Sequence, residues 1–347
     1  MRTDLNNVLA EKLSRSLGSA KIRRSLGDES VFSLKAYIIP SDVYVVSPQG
    51  LPIKVLTVSN SAITLRGDNL SLFLRLGGVN FSRTFIAYAE IPLRYVSGRL
   101  KVEAKVILPP ILSSECVEDP RLDPIDVSSL YHVRAFYMVD SKIDSLILTF
   151  LARLSYASGY VSPEKLIPIT FRLNGDEYIL PDFRDSFPLS RDVMVVRPWF
   201  RDLGIGGIFL GVREGSTVLF KTLRPIPELL PNPEFERKTG ANTSLKLSSN
   251  EYLLIFHSVE KPHGMYYTYA AILSDDGELL GLTPKPILPP LPSYYSGRRP
   301  STIFVCGALK LKDKIILSAG KDDEALLILE ASIDEILSKM QYKYIGG

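Results

Sequence analysis

Residues 116–124, CVEDPRLDP, set two adjacent carboxylates, Glu118 and Asp119, against Pro120 and Arg121. Asp before Pro is a common way to open a turn, so the local expectation is a turn. The chemical reading is a catalytic acid at Asp119, aimed by the constrained backbone of Pro120 and braced by Glu118 and Arg121. Elsewhere, apolar runs end in a polar group: LFLR at Arg75, VMVVR at Arg197, LLIFH at His257, and IILSAGKD at Asp323. Each alone suits a surface turn. Together they suit the mouth of a polar channel to which several repeats contribute. Glu234 and Glu236 are weak candidates for a second carboxylate, His132 and His263 fall in no motif, and Trp199 suits either a sugar face or a core position.

Several other chemistries lack their devices. No Gly-x-Gly-x-x-Gly opens a helix, and there is no phosphate-cradling Gly-Lys-Ser/Thr and no Gly-x-Ser-x-Gly elbow. Three histidines and two distant cysteines, Cys116 and Cys306, form no metal-ligand spacing, so no metal is expected. The cysteines are expected to be free and buried. A net charge of +3 over 347 residues is too small to suggest nucleic acid, and the basic cluster KIRRS at residues 21–25 reads as a solvated helix face. No signal peptide or membrane-length apolar run is visible, so a cytoplasmic protein without a membrane partner is expected.

The elements that must position these groups are mostly strands. Residues 5–26 read as a helix through Leu5, Val8, Leu9, Leu13 and Leu17. A second helix over 332–340 opens on the capping-box pattern Ser332-Ile333-Asp334-Glu335. Between them lie roughly eighteen to twenty short β-rich segments separated by Gly, Asn, Asp and Pro, with no helix-length segment among them. LRGDNLSLFLRL, LKLSSNEYLLIF and LKLKDKIILSAG are versions of one hairpin. Weak repetition of that kind predicts an all-β fold, a β-propeller of roughly five blades at four strands each. A pair of two-sheet sandwiches is the alternative. The expected organisation is an N-terminal helical extension at 1–34, a five-bladed propeller at 35–331, and a C-terminal helix and tail at 332–347, with homo-oligomer contacts possible through the terminal helices.

These residues also carry a resemblance. CVEDPRLDPID resembles the Gly-Val-Glu-Asp-Pro-Arg motif of glycoside hydrolase family 130, the β-mannoside phosphorylases and related glycosidases. YLLIFHSV resembles that family's Leu-Leu-Ile-Tyr-His-Gly strand, and RKTGANTS its Lys-Ile-Gly-Ala-Gly stretch. TPKPILPPLPSYYSG and IFVCGALKLKDKIILSAGKDD are similar to two later family segments, and the order matches over about residues 55–335. The resemblance implies a five-bladed propeller and an inverting glycoside phosphorylase, a glycosyltransferase-type enzyme. It would cleave β-mannosidic or similar β-linked oligosaccharides with inorganic phosphate to a sugar 1-phosphate, with no cofactor.

By the same resemblance Asp119 matches the proton donor, Arg184, Arg197, His257 and Arg83 the phosphate contacts, and Asn60, Arg75, Glu118, Lys238 and Asp323 the substrate contacts. A hydrolase on the same fold and a propeller that only binds carbohydrate are the alternatives. Two departures mark a divergent member: Val117 follows Cys116 where Gly is usual, and the family's Phe-Pro-Glu-Lys stretch is shortened to SFPLSRD.

Overall fold

A computed structural model describes residues 2–47, 49–78, 83–137, 146–157, 160–290 and 299–342. Its strands run as antiparallel meanders. The first comprises Thr57–Arg66, Asn69–Gly77, Thr84–Pro92 and Val102–Leu108; the second Glu115–Leu122, Ser129–Phe136, Leu146–Ala157 and Tyr160–Pro168. A third begins at Phe183–Pro188 and a fourth at Glu236–Lys246, joined in one hydrogen-bonded sheet where Gly206 pairs with Lys238. The last meander, Ile303–Leu311, Lys314–Lys321 and Ala325–Ser332, is extended by the N-terminal strand Ser33–Ile38, with Ser33 opposite Glu330. The two ends of the β region therefore meet in one sheet, and the expectation of a mostly β chain is met.

The first strand of each meander packs against the first strands of its neighbours, closing a ring in the order Thr57–Arg66, Glu115–Leu122, Phe183–Pro188, Glu236–Lys246, Ile303–Leu311. Each of the five also carries an extra residue relative to its partner strand, and Glu236–Lys246 has a second one between Glu236 and Lys238. The extra residue falls between Ser59 and Ala62, between Glu118 and Arg121, between Arg184 and Phe187, between Ala241 and Thr243, and between Val305 and Gly307. A bulge of this kind bends the strand and re-aims a side chain out of the alternating pattern. Asn60, Asp119 and Asp185 sit at three of these bulges with φ of 39°, 50° and 50°, a conformation that Asn and Asp tolerate better than other residues with a Cβ.

Apolar cores lie outside the ring, between the meanders. The helix Arg2–Ser16 buries Leu5, Leu9 and Leu13 in the core formed by the third and fourth meanders, so its apolar face is spent within the chain. It ends ten residues before the expected boundary of 26 because Gly18 turns the chain at φ 78°. The KIRRS segment is therefore not helical, and Arg24 within it is buried rather than solvated. At the other end the helix covers Ile333–Ser338; Ser332 takes the N-cap position without a capping hydrogen bond from its side chain. No helix among the described residues is long and apolar enough to cross a membrane.

Candidate active site

The turn expected over residues 116–124 begins only at Asp123, whose Oδ1 accepts the Ile125 N–H at 2.9 Å; Glu115–Leu122 is a strand, buried throughout, and the first Asp-Pro marks the bulge at Asp119 and Pro120. An edge or bulge is where a strand can hold Pro without losing a ladder bond. The bulge directs Asp119 inward, where its Oδ1 accepts from Asn60 Nδ2 at 2.7 Å and from Arg75 Nη1 at 3.1 Å. The second arm of Arg75 reaches Glu118 Oε1 at 3.1 Å. Arg121 braces no turn. It spans the ring, donating to Asn242 O at 2.7 Å, Asp119 O at 3.0 Å and Asp185 Oδ1 at 2.6 Å. The other oxygen of Asp185 accepts from Arg197 Nε at 2.6 Å.

These groups surround a cavity of about 160 Å³. Asn60, Arg75, Glu118, Asp119, Arg184, Arg197, Lys238, His257 and Asp323 all line it, although they come from strands far apart in sequence. Arg83 does not; it is exposed and stands outside the lining. The cavity also takes Tyr137, Asp185, Tyr266, Arg299, Thr302 and Phe304, which the sequence reading passed over. Asp185 had a signal, an acid in DFRDSFP directly after an arginine, but its partners Arg121 and Arg197 are brought to it only by the ring. Gly240 is required where it stands: a Cβ there would lie 2.6 Å from both Asp185 Oδ2 and His257 Cε1. Any side chain would separate the carboxylate from the imidazole.

His257 has one defined tautomer. Asn242 donates through Nδ2 to Val305 O at 2.6 Å, so its Oδ1 is the atom that faces His257 Nδ1 at 3.0 Å and accepts that proton. Nε2 is then a bare acceptor, buried without a partner. The ring is held by stacking on Tyr266 and by a tilted contact with Phe304. Burial drives its pKa well below the ordinary histidine value, and Lys238, Arg197 and Arg121 add to this against the pull of Asp185. His257 is neutral at pH 7.

The acids and bases around it follow the same logic. For Asp119, burial alone would raise the pKa, but Arg75, Arg121 and the Asn60 bond together hold it below the usual carboxylate value. Burial opposes ionisation of Asp185 too, and Arg197 and Arg121 more than reverse it. Lys238 is pushed well down, first by burial and then by Arg197, with Arg299 and Arg184 adding to the shift. Its Nζ has a neutral partner, Tyr266 Oη at 3.2 Å, which also accepts from Arg299 Nη1 at 3.0 Å. Asp323 lies 3.9 Å from both Arg75 and Arg299.

Hydrogen-bonding capacity is left over. Among the described residues the Arg184 side chain has no hydrogen-bond or ion-pair partner, and Arg197 is engaged only through Nε. Outside the cavity, Glu236 is closed off by Arg24, and Glu234 is exposed at a separate surface pocket. His132 is buried beside Arg134, and His263 is exposed against Glu260. Cys116 and Cys306 are both buried, as expected. Among the described residues no group of three His, Cys, Asp or Glu could hold a metal ion.

Comparison with known proteins places this geometry. Residues 213–342 match the family profile described as beta-1,4-mannooligosaccharide phosphorylase, glycoside hydrolase family 130. No curated protein sequence matches the chain significantly. By structure, the chain is similar to the β-1,2-mannobiose phosphorylase of Listeria innocua solved with β-1,2-mannobiose, at 16% identity and a TM-score of 0.62, covering 82% of this chain and 92% of that one. It is similar to a mannose phosphorylase from Leishmania mexicana in complex with a phosphate ion, at 13% identity and a TM-score of 0.57, covering 87% and 91%. A third similar structure comes from a study of family 130 glycoside hydrolases that target β-1,2 mannosidic linkages in Candida mannan, at 13% identity and a TM-score of 0.56, covering 90% and 97%. Residues 213–342 thus match the profile of glycoside hydrolase family 130, and the chain shares the fold of a structure from a study of that family over 90% of its length.

Proposed function

We propose that this chain is an inverting glycoside phosphorylase, cleaving β-mannosidic or similar β-linked oligosaccharides with inorganic phosphate to a sugar 1-phosphate. The ring of five bulged strands is read as the inner strands of a five-bladed propeller at residues 35–331, with terminal extensions at 1–34 and 332–347. The observation that carries the reaction class is the capacity beside Asp119 left unspent among the described residues: Arg184 without a partner, the Nη atoms of Arg197, and the bare Nε2 of His257. Guanidinium forks suit phosphate oxygens. A neutral histidine with a free acceptor suits the single O–H of HPO₄²⁻, so His257 enters as an acceptor rather than a cation. Each other carboxylate lining the cavity, Glu118, Asp185 and Asp323, faces an arginine. An inverting hydrolase needs a free carboxylate to activate water.

The proton count closes within the reactants. Phosphate attacks the anomeric carbon and the glycosidic C–O bond breaks; HPO₄²⁻ gives up its proton on becoming the ester, and the leaving sugar oxygen gains one. Asp119 therefore needs only to pass a proton, directly or through a substrate hydroxyl, so a depressed pKa does not bar the role. Asn60 and Arg75 hold its Oδ1, leaving Oδ2 for the transfer. Asp323 and Arg75 are read as sugar contacts, with Glu118 orienting Arg75.

The test incubates the protein with β-1,2- and β-1,4-mannobiose, with and without phosphate. Sugar 1-phosphate that forms only with phosphate, in the α configuration, supports the proposal. Release of free mannose at the same rate without phosphate would replace it by the hydrolase reading, which the family 130 mannan hydrolase of the same fold favours.

A further inference from the structure

A second cleft adjoins the cavity. Its volume is about 500 Å³, and it shares Arg184, Arg197 and Lys238 with the Asp119 cavity as a common wall. Arg201, Arg237 and Trp199 complete its polar and aromatic lining, with Asp182 as the one carboxylate among the described lining residues. Two of the five cations are already neutralised: Arg197 by Asp185 and Arg201 by Asp182 at 2.8 Å. Arg184 and Arg237 thus face the cleft with no acidic partner among the described residues, and Lys238 lines it with its Nζ on a neutral hydroxyl, that of Tyr266. The Lys238 pKa is depressed chiefly by burial, with Arg197, Arg299 and Arg184 adding to it against the pull of Asp185.

We propose that this cleft is an anionic-sugar subsite: the substrate carries a phosphoryl or carboxylate group that docks between Arg237 and Lys238 beside the reacting phosphate. The inference rests on the phosphorylase reading, in which inorganic phosphate occupies Arg184 and Arg197 and Arg237 is left for the substrate. The volume accommodates one monosaccharide unit, within the range of small-ligand pockets. Trp199 adds an aromatic ring of the kind that packs on sugar faces, and its ring edge is fixed against Gly206, where a Cβ would lie 2.9 Å from Trp199 Cε3. Arg237 is the residue specific to this subsite: it lines the cleft and not the Asp119 cavity.

Trp199 is the single tryptophan of the chain, so its fluorescence reports on the cleft without any need for turnover. The experiment titrates the whole protein, at saturating inorganic phosphate, with mannose 6-phosphate, glucuronate and neutral mannose. At least one anionic sugar is expected to change the emission with a Kd about tenfold below that of mannose, and Arg237→Ala to weaken that binding about tenfold, as loss of one charge-assisted contact would. A response to mannose 6-phosphate alone identifies a phosphoryl group, and a response to glucuronate a carboxylate. Equal binding of mannose and both anionic sugars would overturn the proposal, as would an anionic-sugar signal that disappears when phosphate is raised or that survives in Arg237→Ala. Anionic-sugar binding in a protein that forms no sugar 1-phosphate from either neutral or anionic β-mannosides would instead remove the phosphorylase reading and leave the subsite standing.

Discussion

Two buried arginine–carboxylate systems invite comparison. Under the N-terminal segment, Arg24 donates to both oxygens of Glu236 and to the carbonyls of Glu228 and Leu230, while Glu236 also accepts the Asn232 N–H. Its guanidinium is further covered by the rings of Phe256 and Tyr269, each centred 5.4 Å away. Around the central cavity, Asp185 holds Arg121 and Arg197 in an equally buried pair of ion pairs. The difference lies in what remains unused. The Arg24 system spends its capacity internally and pins the N-terminal segment to the fourth meander. The Asp185 system engages Arg197 by one nitrogen, and beside it Arg184 and His257 Nε2 stay open. Burial of charge does not mark a site here; unspent hydrogen-bonding capacity does.

That comparison can be broken by substitution. Asp119→Asn is expected to lower phosphorolysis by about 10³-fold while far-UV circular dichroism stays unchanged, since a positioned proton donor contributes roughly 10²–10⁴. Arg24→Met, in the closed system, should do the reverse: about 3 kcal/mol of unfolding free energy lost, read as a lower denaturant midpoint, because Glu236 is left buried and unpaired. Should Arg24→Met leave stability intact, the closed system is not the anchor described. Arg184→Ala is expected to raise KM for phosphate by about tenfold to a hundredfold with an unchanged denaturant midpoint, the loss of one charged contact that only the ligand uses. A stability loss in that variant would show that Arg184 is engaged within the protein.

The smallest effect concerns pH. Burial, reinforced by Arg134, lowers the pKa of His132 from 6.5 to about 3, and His257 is lowered well below the same value, again by burial first. The unfolded chain then binds protons that the folded chain does not as pH falls through about 6.5, so stability is full above that value and declines below it. Asp119 and Asp185, with lowered folded pKa values, add loss in the same direction only below the carboxylate range. Melting temperatures should fall from pH 7 to pH 5, with a slope of at most about 1.4 kcal/mol per pH unit for each histidine. In His132→Gln that slope should be shallower.

Much of the site was legible in sequence because motif order survives divergence. Nine of the ten residues carried over by resemblance, from Asn60 to Asp323, line one cavity, and Arg83 is the exception. Arg83 lies outside the paired strands, whereas the others lie in them or, for Asp323, just after one. The reading of a turn held at Asp123-Pro124 but failed over residues 116–122, for a different reason. Asp-Pro signals a local departure from regular backbone, and a bulge inside a buried strand produces the same signal as a turn. Asp185 and Arg299 were passed over because their roles arise from partners distant in the chain.

By itself the sequence determined the strand-rich character, the repeated hairpin and Asp119 as the candidate acid, because these depend on local periodicity and on side chains within one motif. Only the tertiary structure decided which charges are spent. Arg24 and Arg184 look alike as basic residues in a sequence; one is closed by Glu236 and two carbonyls, and the other faces a cavity without a partner. The tautomer of His257 likewise depends on Asn242 being turned by Val305 across the ring. Such facts rest on hydrogen bonds between strands remote in the chain, and those bonds exist only once the ring closes.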